Sequence, residues 1–218
     1  MERAENSSRE RVLARIRSAL KTPAPRHDSA AEMAPIFAPV RDPLARFQKE
    51  CAANSTECIP APNVTGAEEA LRGVLASVPP GEIYVQDAPA LHRIVHGWND
   101  RHGVRWSSEG PPGESSVATV TTVECLIASI GSMLLASSAG GRGASIIAPV
   151  HVAVASESQL EPDLESALAR VKRSGLAERS SSLFLITGSS RTADIEKILV
   201  LGAHGPRRLI VILARDLD

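Results

Sequence analysis

The residues with the clearest chemical potential lie between positions 188 and 196. Gly188, Ser189 and Ser190 interrupt an apolar run, Arg191 and Thr192 follow, and Asp194 and Glu196 come next. A glycine turn at a helix N-terminus points backbone N–H groups outward and favours an anion. Arg191 adds a planar donor fork suited to a carboxylate or phosphate, and Ser189 and Thr192 add hydroxyls. Asp194 and Glu196, in the first turn of the expected helix, already complement its dipole. The same charged residues therefore also read as an ion-pair network that caps the helix. As a ligand site, the group Gly188, Ser189, Ser190, Arg191, Thr192, Asp194 and Glu196 would hold a small anion. Arg191 would sit on the charge, with the two acids positioning it.

A second group is built from small residues. Gly131 and Ser132 separate two apolar runs, and Gly140-Gly141-Arg142-Gly143 forms a loop. Gly131, Ser132, Gly141 and Arg142 are added to the ligand site because glycine lets a ligand approach the backbone closely. The same composition also serves a hairpin or crossover turn. Neither G-x-x-x-x-G-K-[ST] nor G-x-G-x-x-G is present, which excludes a P-loop and a dinucleotide fingerprint. Cys51, Cys58 and Cys125 form no C-x-x-C pair, and the six histidines show no metal spacing. Three thiols cannot supply the usual four ligands of an iron–sulfur cluster. The expectation is no metal, no cofactor and free thiols, with no catalytic residue assigned.

Elements must position these groups. Leu183–Ile186 is long enough for a buried strand, and Thr192 is a candidate N-cap. Ile195, Ile198, Leu199 and Gly202 then share one helical face. Gly205-Pro206 stops that helix, and Leu209–Leu213 is a second apolar run. The stretch predicts a βαβ unit with parallel, neighbouring strands.

Upstream, 7–20 is an amphipathic helix with Val12, Leu13, Ile16, Ala19 and Leu20 on its apolar face. Residues 22–43 are a proline-rich linker. Helices are expected at 43–52, 66–78, 91–98 and 157–172. Strands are expected at 56–60, 83–85, 104–106, 117–121, 132–136 and 150–155; periodicity leaves 123–130 open between strand and helix. This alternation predicts an α/β layered domain with a mainly parallel sheet. Residues 1–42 would be a helical extension and 43–218 the α/β domain. His151, alone on a strand, reads as a core residue.

The net charge of −1 gives no electrostatic case for nucleic acid or an anionic membrane, and 3% aromatics argue against base-stacking platforms. No run approaches the roughly 20 apolar residues that span a bilayer. The charged N-terminus lacks a secretory h-region, so the expected compartment is the cytoplasm.

Three segments resemble one family. Gly188-Ser-Ser-Arg191-Thr-Ala-Asp194-Ile-Glu196, followed by Leu201-Gly-Ala-His204-Gly-Pro206, is similar to the C-terminal signature of the LUD-domain family, the lactate-utilisation protein C proteins. Ser7 to Leu20 resembles that family's opening helix. Gly131-Ser-Met-Leu-Leu135 through Pro149-Val-His-Val-Ala153 resembles its central block. The resemblance implies a Rossmann-like sheet of the NagB/RpiA/CoA-transferase-like type. It further implies a part in L-lactate oxidation to pyruvate beside iron–sulfur protein subunits, this chain being an accessory or regulatory subunit without a redox group. The alternative is an enzyme of the CoA-transferase or sugar-phosphate-isomerase type acting on a small anionic substrate. The basic first helix is expected to pack on another chain or on the domain edge, which leaves homo-oligomerisation open. One position departs from the family: Ala128-Ser129-Ile130-Gly131-Ser132 carries Ser129 where relatives carry a glutamate, so binding is expected there rather than covalent catalysis.

Overall fold

The computed structural model describes residues 2–22, 39–95, 102–138, 140–141, 143–192, 200–201 and 205–217. The chain divides into two units, Met1–Ala38 and Pro39–Asp218. The first contributes helix α1, Glu2–Ala19, on which Val12 and Ile16 are exposed, as is Leu20 just past its end.

The second unit opens with α2 (Pro43–Ala53). Pro43 supplies a fixed φ at the first helical position, and the Asp42 carboxylate accepts from Ala45 N at 3.0 Å. Then follow β1 (Thr56–Ala61), α3 (Val64–Ala76), β2 (Gly81–Val85), α4 (Pro89–Ile94), β3 (His102–Trp106) and β4 (Ser116–Thr122). Next come β5 (Cys125–Ile127), β6 (Ser132–Ala136), β7 (Val150–Ser156), β8 (Leu160–Glu161), α5 (Leu164–Arg173), α6 (Leu176–Arg179) and β9 (Leu183–Ile186). The short β10 (Arg191–Thr192) and β11 (Val200–Leu201) precede β12 (Arg208–Ala214).

Six strands form one sheet in the order β1-β12-β7-β4-β2-β3, every pairing parallel. Both faces are covered, so a strand segment such as Leu209–Ala214 reads as a continuous apolar run rather than an alternating one. Val152, Val154, Ile210 and Ile212 face one cluster with Leu71 of α3 and Leu91 of α4. Ala153, Ala155, Val211 and Leu213 face another with Phe47 of α2 and Met133 of β6. A smaller sheet, β8-β5-β6-β9, lies on that second side, and Ala167 and Val171 of α5 pack on it with Ile127 and Leu134. The α/β class and the mainly parallel sheet expected from the alternation are both present.

Three local expectations are corrected. The 183–213 stretch is not a βαβ unit: β9 pairs antiparallel with β6 in the small sheet, whereas β12 lies between β1 and β7 in the large one. A four-residue apolar run fits either sheet, and nothing in it names its neighbour. The helix expected from Thr192 to Gly202 is replaced at both ends by the antiparallel pairing of Arg191 with Leu201 and Thr192 with Val200; residues 193–199 lie outside the described ones. The helix expected from 157 begins only at Leu164. Pro162 disfavours helix in the residue before it. Leu160 and Glu161 instead pair with Leu126 and Ile127, and Asp163 caps α5 through Ser166 N at 2.8 Å. The open segment 123–130 resolves into strand β5 and a turn.

Candidate functional site

Asn54, the residue capping the C-terminus of α2, organises the site. Its Nδ2 donates to the Ile130 carbonyl at 2.9 Å, in the turn joining β5 and β6. Gly131 follows at φ 62°, and a Cβ there would lie 2.6 Å from the Glu50 carbonyl carbon and 2.8 Å from Cys51 N. Gly188 approaches from the other side at φ 80°, its Cα packed against the Asn54 carbonyl so closely that no side chain fits. Ser132 Oγ and Thr187 Oγ1 lie 2.5 Å apart, joining β6 to the end of β9. Ser190 N donates to the Pro206 carbonyl at 2.9 Å, which ties the loop to the entry of β12.

These contacts frame a cleft of about 660 Å³ lined by β9, by Thr187 to Ser190, and by Asn54, Ser145, Ile146, Gly205 and Pro206. The volume is in the range of small-molecule sites. Among the described lining residues the polar groups are hydroxyls and one amide; none is charged. Exposed Leu185 and Ile146 make part of its wall apolar.

Gly188, Ser189 and Ser190 line this cleft. Gly131 and Ser132 do not line it: Asn54 bonds the carbonyl just before Gly131, and Ser132 bonds Thr187. Arg191 and Thr192 continue the chain as β10, their side chains outside the described ones, and Asp194, Glu196 and Arg142 lie outside the described residues altogether. Gly141 does not line the cleft: the 140–148 loop contributes Ser145 and Ile146 instead. Gly140, at φ 90°, lies against Gln86 and accepts a hydrogen bond from the Tyr84 hydroxyl at 2.7 Å.

In open parallel sheets ligands usually bind outside the carboxyl ends of the strands, and this cleft lies elsewhere. Asn54 precedes β1, Ser145 and Ile146 precede β7, and Gly205 and Pro206 precede β12. These strands are parallel, so the cleft sits by their amino ends, not outside their carboxyl ends. The Gly188 loop reaches that edge because it leaves an antiparallel strand.

The carboxyl edge carries chemistry that sequence reading missed. From β2 the chain moves outward to β3, and from β4 it moves the opposite way to β7. The β2/β4 boundary is therefore the switch point where ligands bind in such sheets. Gln86, just past β2, bridges it: its Oε1 accepts from Thr122 N at 2.8 Å and Thr122 Oγ1 at 3.0 Å. Next to it, Asp87 Oδ1 and His92 Nε2 are 2.7 Å apart, and the His92 ring stacks on Trp106 at 4.0 Å. Hydrogen bonds from Ser108 and then His92 hold the Asp87 carboxyl below its usual range. A carboxylate-held imidazole is a proton acceptor at its other nitrogen. The two residues stand five apart, and only the turn from β2 into α4 brings them together.

Inside the sheet, His151 is fully buried. Its Nε2 lies 2.9 Å from Thr121 Oγ1, while Nδ1, like the neighbouring Thr119 Oγ1, has no hydrogen-bond partner among the described residues. Burial pushes its pKa down to about 4. Ser129 is braced in its turn: its N donates to the Pro162 carbonyl and its carbonyl accepts from Arg46 at 3.1 Å. Glu124 is half-buried, and that burial raises its carboxyl against the opposing pull of Arg179 and Arg170.

Residues 113–214 match the family described as the LUD domain. Lactate utilization protein C of Bacillus subtilis (strain 168) is 28% identical over 194 residues, 80% of this chain and 79% of that protein. Over residues 113–214, just under half of its length, the chain is similar to the LUD-domain family. Lactate utilization protein C of Geobacillus kaustophilus (strain HTA426) is likewise 28% identical to this chain, covering 80% of it and 79% of the relative. A crystal structure of a DUF162 family protein from Deinococcus radiodurans shares the fold, with a TM-score of 0.58 at 20% identity over 79% of this chain and 96% of that one. Among the described residues, no helix is long and apolar enough to cross a membrane.

Proposed function

We propose that this protein is an accessory or regulatory subunit of a lactate-utilisation system. It would work in the cytoplasm beside iron–sulfur protein subunits that oxidise L-lactate to pyruvate, without a redox group of its own. The observation that carries this reading is the similarity to lactate utilization protein C proteins along about four-fifths of both chains. The cysteines support the division of labour: Cys51 and Cys58 share one apolar cluster, whereas Cys125 belongs to another behind the small sheet. The cleft at Gly188–Ser190 would bind a small carboxylate, with Ser189 and Ser190 as hydroxyl donors and Arg191 as the cation. Affinity purification from lactate-grown cells tests the assignment. Co-purification of cysteine-rich iron–sulfur proteins is expected, and a chain recovered alone under conditions that preserve the iron–sulfur proteins' own association would count against it.

A second reading, an enzyme acting on a small anionic substrate, is favoured by the Asp87–His92 pair at the switch point. The pair would supply a general base. Incubating the purified chain with acyl-CoA and short carboxylates discriminates: turnover lost in His92→Gln supports the enzyme, and no turnover leaves the subunit reading.

A further inference from the structure

We propose that Cys58 and Cys51 form a hydroperoxide-sensitive dithiol that closes to a reversible disulfide across the corner between α2 and β1. In sequence the two cysteines are seven residues apart with no redox motif around them. The fold joins them. After α2 the chain turns at Asn54 and Ser55, the latter at φ 57°, and returns as β1 along the edge of the large sheet. Both side chains pack in the same apolar cluster, Cys51 from α2 and Cys58 from the adjoining β1. Cys51 is fully buried, and its Sγ lies 4.0 Å from the Gly131 carbonyl. The close approach of Gly131 to the Glu50–Cys51 peptide fixes that end of the helix. Cys58, on an edge strand, is only half-buried and so within reach of a small oxidant.

The two sulfurs differ in access: Cys58 is half-buried and Cys51 fully buried. Their proximity favours the thiolate at Cys58 and, with burial, the protonated thiol at Cys51. The reachable sulfur is the nucleophile and the buried one the resolving thiol. The Cys58 thiolate attacks one oxygen of hydrogen peroxide and the O–O bond breaks. This gives a Cys58 sulfenic acid and hydroxide, which becomes water with the proton Cys58 released. The Cys51 thiol then attacks the Cys58 sulfur, forming S–S and expelling a second water that carries the Cys51 proton. Two electrons pass from the two sulfurs to one peroxide, and a dithiol reductant reverses the step by exchange. Asn54 lies inside the loop this bond closes and lines the cleft, so the cleft would register the oxidation state. Cys125, buried on β5 and pushed up to about 11 chiefly by desolvation, is the internal control.

The experiment treats the full reduced chain with hydrogen peroxide, alkylates it under denaturing conditions and measures intact mass. The expected product has lost about 2 Da and carries one alkyl group, on Cys125. Cleavage after glutamate cuts at Glu50, Glu57 and Glu68, giving 51–57 and 58–68 joined until a reductant is added. Cys51→Ala is expected to accumulate a sulfenic acid at Cys58 that dimedone traps, and Cys58→Ala to resist oxidation. Three alkylated cysteines, after a dose that fully oxidises glutathione in the same tube, would overturn the proposal. So would sulfinic acid at Cys58 of the unsubstituted chain without the linked peptides. Both are read on the unsubstituted protein, so they hold even if a variant fails to fold.

Discussion

Acidification should destabilise this fold through His151. The residue is fully buried between β4 and β12, and burial holds its pKa at about 4, against an ordinary 6.5. In the unfolded chain the imidazole takes up a proton once the pH falls below 6.5, whereas in the folded chain it stays neutral to about 4. Between those values the unfolded state binds more protons, so stability falls as pH falls. The contribution is complete above 6.5, declines across that window and levels off below about 4. The gap corresponds to about 3 kcal/mol, a large fraction of a domain's usual margin. Other groups titrate nearby: the Arg208 hydrogen bond holds Glu57 low, and burial raises Glu124. The comparison is therefore between urea unfolding curves of the wild type and His151→Leu, followed by circular dichroism from pH 8 to 4. The variant should lose the His151 part of the slope whatever its absolute stability, while the carboxylate contributions remain in both. Equal pH slopes in the two proteins would refute the reasoning, as would an imidazole that titrates near 6.5 in the folded wild type by NMR.

Gly131→Ala should cost about 2–4 kcal/mol in chemical denaturation. It combines a positive φ with a Cβ pressed on the backbone of Glu50 and Cys51, which cannot give way as a flexible side chain would. Ser108→Ala should raise the Asp87 pKa more than His92→Gln does, because the Ser108 hydrogen bond is the larger cause of its depression; carboxyl-carbon NMR titration reads both. Arg191→Ala should leave the melting temperature unchanged and abolish any stabilisation by L-lactate or pyruvate in a thermal-shift assay. A variant that unfolds instead would show that Arg191 braces the loop.

Legibility in the sequence followed what each signal encodes. The large sheet was readable because both faces of β4, β7 and β12 are buried, which leaves β-branched and apolar runs, made partly polar by Thr119, Thr121, Thr122 and His151, between helices of clear period. The small sheet was not. Leu183–Ile186 shows the same composition whether it pairs with β6 or β12, and Leu160–Glu161 is too short to interrupt a helical pattern by itself. The cleft was half-legible. Gly188 and Gly131 stood out as glycines, but Asn54, against which Gly188 packs and which bonds the carbonyl just before Gly131, is an ordinary polar residue in a turn. Asp87–His92 and Cys51–Cys58 share no motif. Each pair meets only because a turn folds one element back on another, which spacing alone does not encode.

The most direct test of the functional account is growth on L-lactate as sole carbon source by a strain lacking this gene, complemented with the wild-type chain or with Arg191→Ala. The deletion is expected to fail on L-lactate while growing normally on pyruvate. The wild-type chain should restore growth, and the variant should not, although it accumulates to the same level. Normal growth of the deletion strain on L-lactate, in the absence of a second gene of this family, would contradict the account.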